Sequence, residues 1–435
     1  MSRFPRNRRI HQPEPAMTGG RRRQTLHRLG LTGWLLCGLA PAAPSPALAQ
    51  TPSGTEERQS FGAFLERLWP EAQKAGIRRA TFDTAFPGLV FDPAPPRAAM
   101  AQPEFDRPLR LYLAQAAGRA RRTHGRALHE HYSKELDRLE QGYGVPGEIL
   151  IAAWGMESDY GRLRGTSDLF RSLASLAYAL PERPLYAQEL IAALKILESG
   201  KVRRADMQGS WAGAMGDPQF LPSAYLAYGI GFDGQPYPDL WHKPADTLTS
   251  IANFLARSGW QRDLPWGVEV RLPQGLAINT LHRDFADWKR DGVTATSGDS
   301  MPERGAATLF LPAGRQGPAF LLSDNYWIIK AYNNSDAYAL SLALLADSLK
   351  RQRAAKDIIE AQWPETGPEL SRKEKAAIQH HLQSLGLYQG TIDGRFGQAS
   401  RDAIHAYQKR LDPKSADGFA TQALYRQMVG AKVEP

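Results

Sequence analysis

Cysteine is almost absent from this 435-residue chain: Cys37 stands alone. It lies in an N-terminal leader, so no disulfide is available to the remainder, which packing alone must hold together. Lysine is absent from residues 1–49 and acid nearly so, with eight arginines against Glu14. The leader therefore supplies +7 of the formal +9, and the rest of the chain carries only about +2. The basic balance belongs to the leader and is no footprint for nucleic acid. Long apolar runs are absent too. Leu29 to Ala40 is too short to span a bilayer. Behind RRRQTLHR and ahead of the small-x-small triplet Ala47-Leu48-Ala49, it reads as the core of a signal peptide over 1–49. Arg22-Arg23 is compatible with twin-arginine export, and the general secretory route fits equally. Leu36 directly before Cys37 argues against a lipid anchor. Roughly 385 residues remain, room for one large domain and a small one.

Periodicity organises what is left. Residues 56–86 have helical spacing, with Phe61, Phe64, Leu65 and Leu68 on one face, a stop at Ala75-Gly76-Ile77, and Thr81 as the cap of a second helix. The prolines of Asp92–Pro96 predict a loop. Arg107 to Leu139 alternates charged and apolar residues with helical period up to Gly142. Pro146 then opens a helix where proline costs nothing, with Glu148 in its first turn. Ile149 to Met156 are apolar all round, the pattern of a buried helix, and Glu157 comes in its last turn. Further helices are expected at 184–199, 245–257 and 337–349. Residues 264–272 and 306–331 predict a minor strand component. Residues 351–370 read as a linker, and 371–431 as a small second domain.

Three segments hold the candidate chemistry. Glu157 follows Leu150, Ala153 and Trp154 on its helical stripe, and an apolar setting raises a carboxyl pKa toward the range a general acid needs. Taken alone, a helix-end glutamate reaching solvent fits as well. Asp159 is about 200° around the helix, so the two carboxylates cannot flank one bond, and a capping or pairing role suits it. GSWAGAMGDPQFLPSAY, 209–225, is too apolar for an ordinary surface loop, and its glycines would let backbone approach a ligand closely. A tightly packed structural loop has the same composition. NYWIIKAYNNSDAY, 325–338, joins aromatic rings to paired asparagines, as sugar-binding walls do, although most aromatics in any chain are core.

In order and spacing, ESDYGR, GSWAGAMGDPQF and AYNNSDAYAL resemble the B-type lytic murein transglycosylases, glycoside hydrolase family 103. The resemblance spans roughly residues 56–350. It implies a mostly α, lysozyme-like α+β catalytic domain with Glu157 as sole acid and base. It implies substrate contacts from Ser210, Met215 and Gln219 on one wall and from Tyr332, Asn333 and Tyr338 on the other. The implied reaction cleaves the bond between N-acetylmuramic acid and N-acetylglucosamine and closes a 1,6-anhydro ring, with no water, cofactor or metal. Residues 371–431 resemble the small three-helix peptidoglycan-binding domain, with Asp393-Gly394 and Asp417-Gly418 as turns that serve its folding. Peptidoglycan strands are the implied partner of a monomeric, periplasmic protein, and wall-synthesis or remodelling proteins are further candidates.

Two departures stand out. Asp217 adds a charge where the family has a neutral or small residue. Residues 231–241 offer only Asp233 and Asp239, too few alternating carboxylates for the calcium loop found in some members. Two other readings use the same residues. A water-using muramidase would need a second carboxylate, from Asp168, Asp206 or Asp217, and a non-catalytic wall binder would have no reason to keep Glu157.

Overall fold

The computed structural model describes residues 54–101, 108–296, 300–350, 359, 362–364 and 369–430. The signal-peptide, cleavage-site and lipid-anchor expectations fall outside these residues, as does most of the expected linker.

Apolar spacing sets the first elements. Helix Gly54–Arg67 buries Phe61 and Leu65, and Gly76 (φ 86°) ends the short helix Trp69–Lys74. Thr81 is not a cap: helix Arg79–Ala85 opens from Arg78, and Thr81 lies on its buried face with Phe82 and Ala85. Asp92–Pro96 is not all loop either. Asp92 Oδ1 accepts from the Ala94 amide at 2.9 Å, and Pro95-Pro96 occupy the first turn of helix Ala94–Ala101, where no N–H is needed. The 107–139 run divides into Leu109–Ala116, Arg119–His131 and Ser133–Tyr143. Gly118 and Tyr132 mark the breaks, and Gly144 (φ 74°), not Gly142, closes the third helix.

Helix Gly147–Ser158 lies at the centre. Ile149 to Gly155 are all buried, and it packs against helices Asp336–Leu349, Arg119–His131, Ser133–Tyr143 and Pro244–Arg257. A helix apolar on every side needs neighbours on every side. The strand component is larger than the alternating pieces suggested. Five antiparallel strands run in the order His282–Asp284, Ala306–Phe310, Ala319–Leu322, Gly267–Arg271, Thr294–Ala295. Their own core gathers Val268, Val270, Phe285, Trp288, Leu309 and Leu321. A separate ribbon pairs Ser167–Asp168 with Gln208–Gly209.

Residues 371–429 form three helices, Arg372–Ser384, Gln398–Leu411 and Gln422–Val429, around Ile378, Leu382, Ile404, Leu424 and Met428. Ser371 and Glu374 make a capping box at the first. Each Asp-Gly turn is read by one glutamine. Gln379 Oε1 accepts from the Asp393 and Gly394 amides at 3.0 and 2.8 Å, while its Nε2 donates to Asp393 Oδ1. Gln408 repeats the arrangement on Asp417 and Gly418 at 3.1 and 2.8 Å. Both aspartates also turn a carboxylate back onto the amide two residues on, so these turns serve folding, as expected. Among the described residues, no helix is long and apolar enough to cross a membrane.

Candidate active site

Glu157 sits in the last turn of its helix, and the chain leaves that turn through three left-handed residues: Asp159 (φ 50°), Tyr160 (φ 60°) and Gly161 (φ 82°). Such backbone survives in non-glycine residues only when the surroundings hold it. Asp159 accepts from Arg121 at 3.3 Å and Arg162 at 2.6 Å, Tyr160 donates to the Arg121 carbonyl at 3.0 Å, and Ser158 Oγ takes the Gly161 amide at 3.0 Å. Asp159 is thus a structural pairing residue that fixes the turn beyond Glu157.

Protein crowds the Glu157 carboxyl, and this burial pushes its pKa up to about 8. The Tyr338 hydroxyl donates to Oε1, which pulls weakly the other way because it favours the carboxylate. Burial first, then the Glu157 charge, keeps the Tyr338 hydroxyl protonated far above the usual tyrosine range. Tyr332 stacks on Tyr338 with ring centroids 6.4 Å apart and planes 17° from parallel. Its own hydroxyl donates to the Pro218 carbonyl at 2.6 Å. That chain of contacts joins the three candidate segments at Glu157.

The 209–221 loop folds on itself through bridges from Gly209 to Met215 and from Met215 to Phe220. Gly216 (φ 62°) is required there, since a Cβ would lie 2.6 Å from the Leu240 carbonyl oxygen. Ser210 Oγ accepts from the Ala214 amide at 3.1 Å and keeps its own proton to donate. Gln219, at φ 51°, spends its amide N–H groups on the Arg164 and Gly216 carbonyls at 2.9 and 2.8 Å. Its side-chain oxygen has no partner among the described residues. Met215 is fully buried in the main core and supports the loop from beneath instead of facing a ligand. Asn333 ends helix Asp324–Tyr332 in extended backbone, part-exposed, with no side-chain partner among the described residues.

Asp217 does not bring an open charge to the site. It is 2% exposed, accepts from the Trp154 indole at 3.0 Å, and pairs with Arg164 at 2.6 Å. Burial raises its pKa and Arg164 opposes the rise. Sequence reasoning missed Arg164 and the role of Trp154. The available signal was a lone acid inside an apolar, glycine-rich loop, which demands a cation. The other two candidate second carboxylates are engaged elsewhere. Asp168 caps helix Leu169–Ala179 and pairs with Arg204 at 2.8 Å, and Asp206 pairs with Arg203 at 2.6 Å. Among the described residues, no carboxylate perturbs Glu157.

The 230–246 segment uses its acids on its own backbone. Asp246 takes the Phe232 and Asp239 amides, Asp239 takes those of Trp241 and His242, and Asp233 takes that of Gln235. Two open cavities among the described residues, of about 450 and 470 Å³, are lined by neither Glu157 nor its partners. One lies where His282 meets helix Gln398–Leu411, the other between helix Ser133–Tyr143 and residues 231–234.

Comparison with known proteins agrees with this geometry. Residues 60–347 match the family described as transglycosylase SLT domain, and residues 371–428 match a putative peptidoglycan binding domain. The membrane-bound lytic murein transglycosylase B of Escherichia coli (strain K12) is 30% identical over 228 residues, 51% of this chain. The chain spans 62% of the length of that curated relative. SltB3 from Pseudomonas aeruginosa, solved in complex with NAG-anhNAM-pentapeptide, is 41% identical with a TM-score of 0.75, covering 85% of this chain and 99% of that one. SltB1 from Pseudomonas aeruginosa, at 24% identity and a TM-score of 0.58 over 67% of this chain and 98% of its own, shares the fold. The chain therefore belongs to the transglycosylase SLT domain family, among the B-type lytic transglycosylases that carry a C-terminal peptidoglycan-binding domain.

Proposed function

We propose that the protein is a peptidoglycan lytic transglycosylase in which Glu157 is both acid and base. Protonated Glu157 donates to the oxygen linking N-acetylmuramic acid to N-acetylglucosamine, and the C1–O bond breaks. The glutamate then takes the proton of the muramoyl C6 hydroxyl, whose oxygen closes onto C1 as a 1,6-anhydro ring. The substrate's own N-acetyl group stabilises the intermediate. No water enters, so one carboxyl suffices.

The observation that carries this reading is a carboxyl held protonated to about pH 8 with no carboxylate beside it among the described residues. A two-carboxylate hydrolase needs its pair across the scissile bond, and Asp168, Asp206 and Asp217 are each committed to an arginine. The complex of SltB3 with NAG-anhNAM-pentapeptide supports an anhydro product. Tyr338 orients the acid, while Ser210, Gln219 and Asn333 offer a donor, an acceptor and an amide to sugar hydroxyl and acetamido groups. The export leader read over residues 1–49 supports a periplasmic location for this work, on glycan strands that the C-terminal module would hold at raised local concentration.

The test is mass spectrometry of muropeptides released from purified sacculi by the chain beginning at Gln50, beside Glu157→Gln. Products lighter by one water than hydrolysis products, and absent with the variant, are expected. Reducing ends would make the protein a muramidase, and binding without release would make it a wall binder.

A further inference from the structure

One buried side chain of the C-terminal module reaches the start of the helix that carries Tyr338. Arg401, on helix Gln398–Leu411, is 8% exposed. Its Nη1 donates at 2.7 Å to Asp336 Oδ2, in the catalytic region. Asp336 opens helix Asp336–Leu349, the helix whose first turn holds Tyr338. Its other carboxylate oxygen takes Lys330 at 2.7 Å and the Tyr326 hydroxyl at 3.3 Å, both from helix Asp324–Tyr332. Among the described residues, Arg401 is thus the one partner of Asp336 that comes from the module.

Tyr338 is also placed by its burial in the main core and by the Tyr332 ring stacked on it. The Ser335 side chain caps its amide at 3.4 Å, a long bond, and the two helices join through only Asn333–Ser335. The charged anchor at the start of this helix is Asp336. Burial pushes its carboxyl up, but Arg401 and Lys330 outweigh it and hold the pKa at about 2. Arg401 is itself held rigid: Gln398 Oε1 accepts from its Nε and Nη2 at 3.2 and 3.0 Å, and its guanidinium stacks 4.7 Å over the Phe310 ring. A planar fork fixed on three sides transmits position better than a flexible ammonium can.

We infer that Arg401 is a positioning residue for Glu157: through Asp336 it sets the helix turn from which the Tyr338 hydroxyl reaches the acid. The peptidoglycan-binding module is then part of the active-site scaffold as well as a wall tether. The inference rests on the reading of Glu157 as catalytic acid. Small misplacements of a group at the reacting centre are costly. Once Tyr338 withdraws its hydrogen bond, the acid also becomes harder to ionise. The charged and titratable groups facing this chain of contacts are Lys330, Tyr326 and Arg401 at Asp336, and Tyr112, Tyr332 and Glu157 at Tyr338.

The test compares Arg401→Met, Arg401→Lys and Lys409→Met with wild type in the chain from Gln50, by rates of muropeptide release across pH. Arg401→Met is expected to bind sacculi normally, to lose kcat about ten- to a hundredfold with KM little changed, and to lose activity at a higher pH than wild type does. Arg401→Lys, which keeps the charge, should recover part of both. Lys409→Met removes a second contact across the same seam, from Lys409 Nζ to the Asn279 carbonyl at 2.9 Å, without touching Arg401 or Gln398, and should leave the pH profile alone. Wild-type kcat and profile in Arg401→Met, or the same loss in Lys409→Met, would overturn the inference. If Arg401→Met does not fold, a wild-type profile in Arg401→Lys overturns it. A 13C titration of the Glu157 carboxyl in the same proteins gives a second readout. An unchanged midpoint counts against Arg401 even if the wild type proves inactive on sacculi, which would itself sink the transglycosylase reading.

Discussion

Glu157 is half-buried in the last turn of its helix, and the protein packed around its carboxyl, Tyr338 included, favours the protonated form. Its pKa in the folded chain, about 8, lies above that of a glutamate in the unfolded chain. The folded state thus favours the protonated form. The associated stability is complete at low pH and is lost as pH rises through about 8. Glu157→Gln mimics the protonated side chain. It should match wild type in melting temperature in acid and exceed it by a widening margin as pH climbs, with the gap levelling off above about 8. Thermal melts across that range check this, and a gap independent of pH would contradict it. Turnover needs the protonated acid, so wild-type activity should fall above the same pH. Tyr338→Phe should reduce kcat about ten- to a hundredfold, the range for losing a hydrogen bond to the carboxylate that forms as the proton leaves, and should carry the alkaline fall to higher pH.

At the scale of elements, the 209–221 loop is rigid for reasons that its composition conceals. Met215 is its apolar anchor, and Met215→Ala should destabilise the chain by about 2–5 kcal/mol, read by chemical denaturation. Asp217 ties the loop to the Glu157 helix through Trp154 and to the following turn through Arg164. Because Arg164 is partly exposed, Asp217→Asn should cost about 1–3 kcal/mol while released products keep anhydro ends. Reducing ends from this variant would instead give Asp217 a part in the reaction. In the C-terminal module, Gln379→Leu should strand the amides of Asp393 and Gly394 together with the polar groups opposite them, costing about 2–4 kcal/mol. Loss of sacculus binding on mild heating would report it. Both Asp-Gly turns were legible in the sequence because turn chemistry is carried by adjacent residues. The glutamines that read them were not, since Gln379 and Gln408 reach forward over nine or more residues from helices.

Across the whole molecule, the module does not hang from its linker. Besides Arg401–Asp336, Arg315 Nη2 donates to the Ala416 carbonyl at 3.0 Å, His405 Nε2 meets the Ile278 carbonyl at 2.9 Å, and Lys409 donates to the Asn279 carbonyl at 2.9 Å. The Asp402 carboxylate raises the His282 pKa. Against its burial, the imidazole lowers the Asp402 pKa in turn. That pair's contribution is therefore present between the two folded values, lost as pH falls through the carboxylate's and lost as it rises through the histidine's. With such a seam, calorimetry of the chain from Gln50 should give one cooperative transition. Two well-separated transitions would mean that the module folds and melts alone.

By itself, the sequence determined those features that depend on near neighbours. Helical period buried residues 149–155 and put Glu157 in a last turn. Aspartate followed by glycine specified two turns, and three ordered motifs identified the family. Only the tertiary structure decided what Glu157 meets. Tyr338 reaches it from 181 residues away, Arg164 neutralises Asp217 across 53, and Arg401 reaches Asp336 across 65. The strands of the sheet, too short to stand out against the helices, found partners in the same way. Propensity and turn chemistry act over one or two turns of chain, whereas burial and pairing of charge depend on which distant segments the core brings back together.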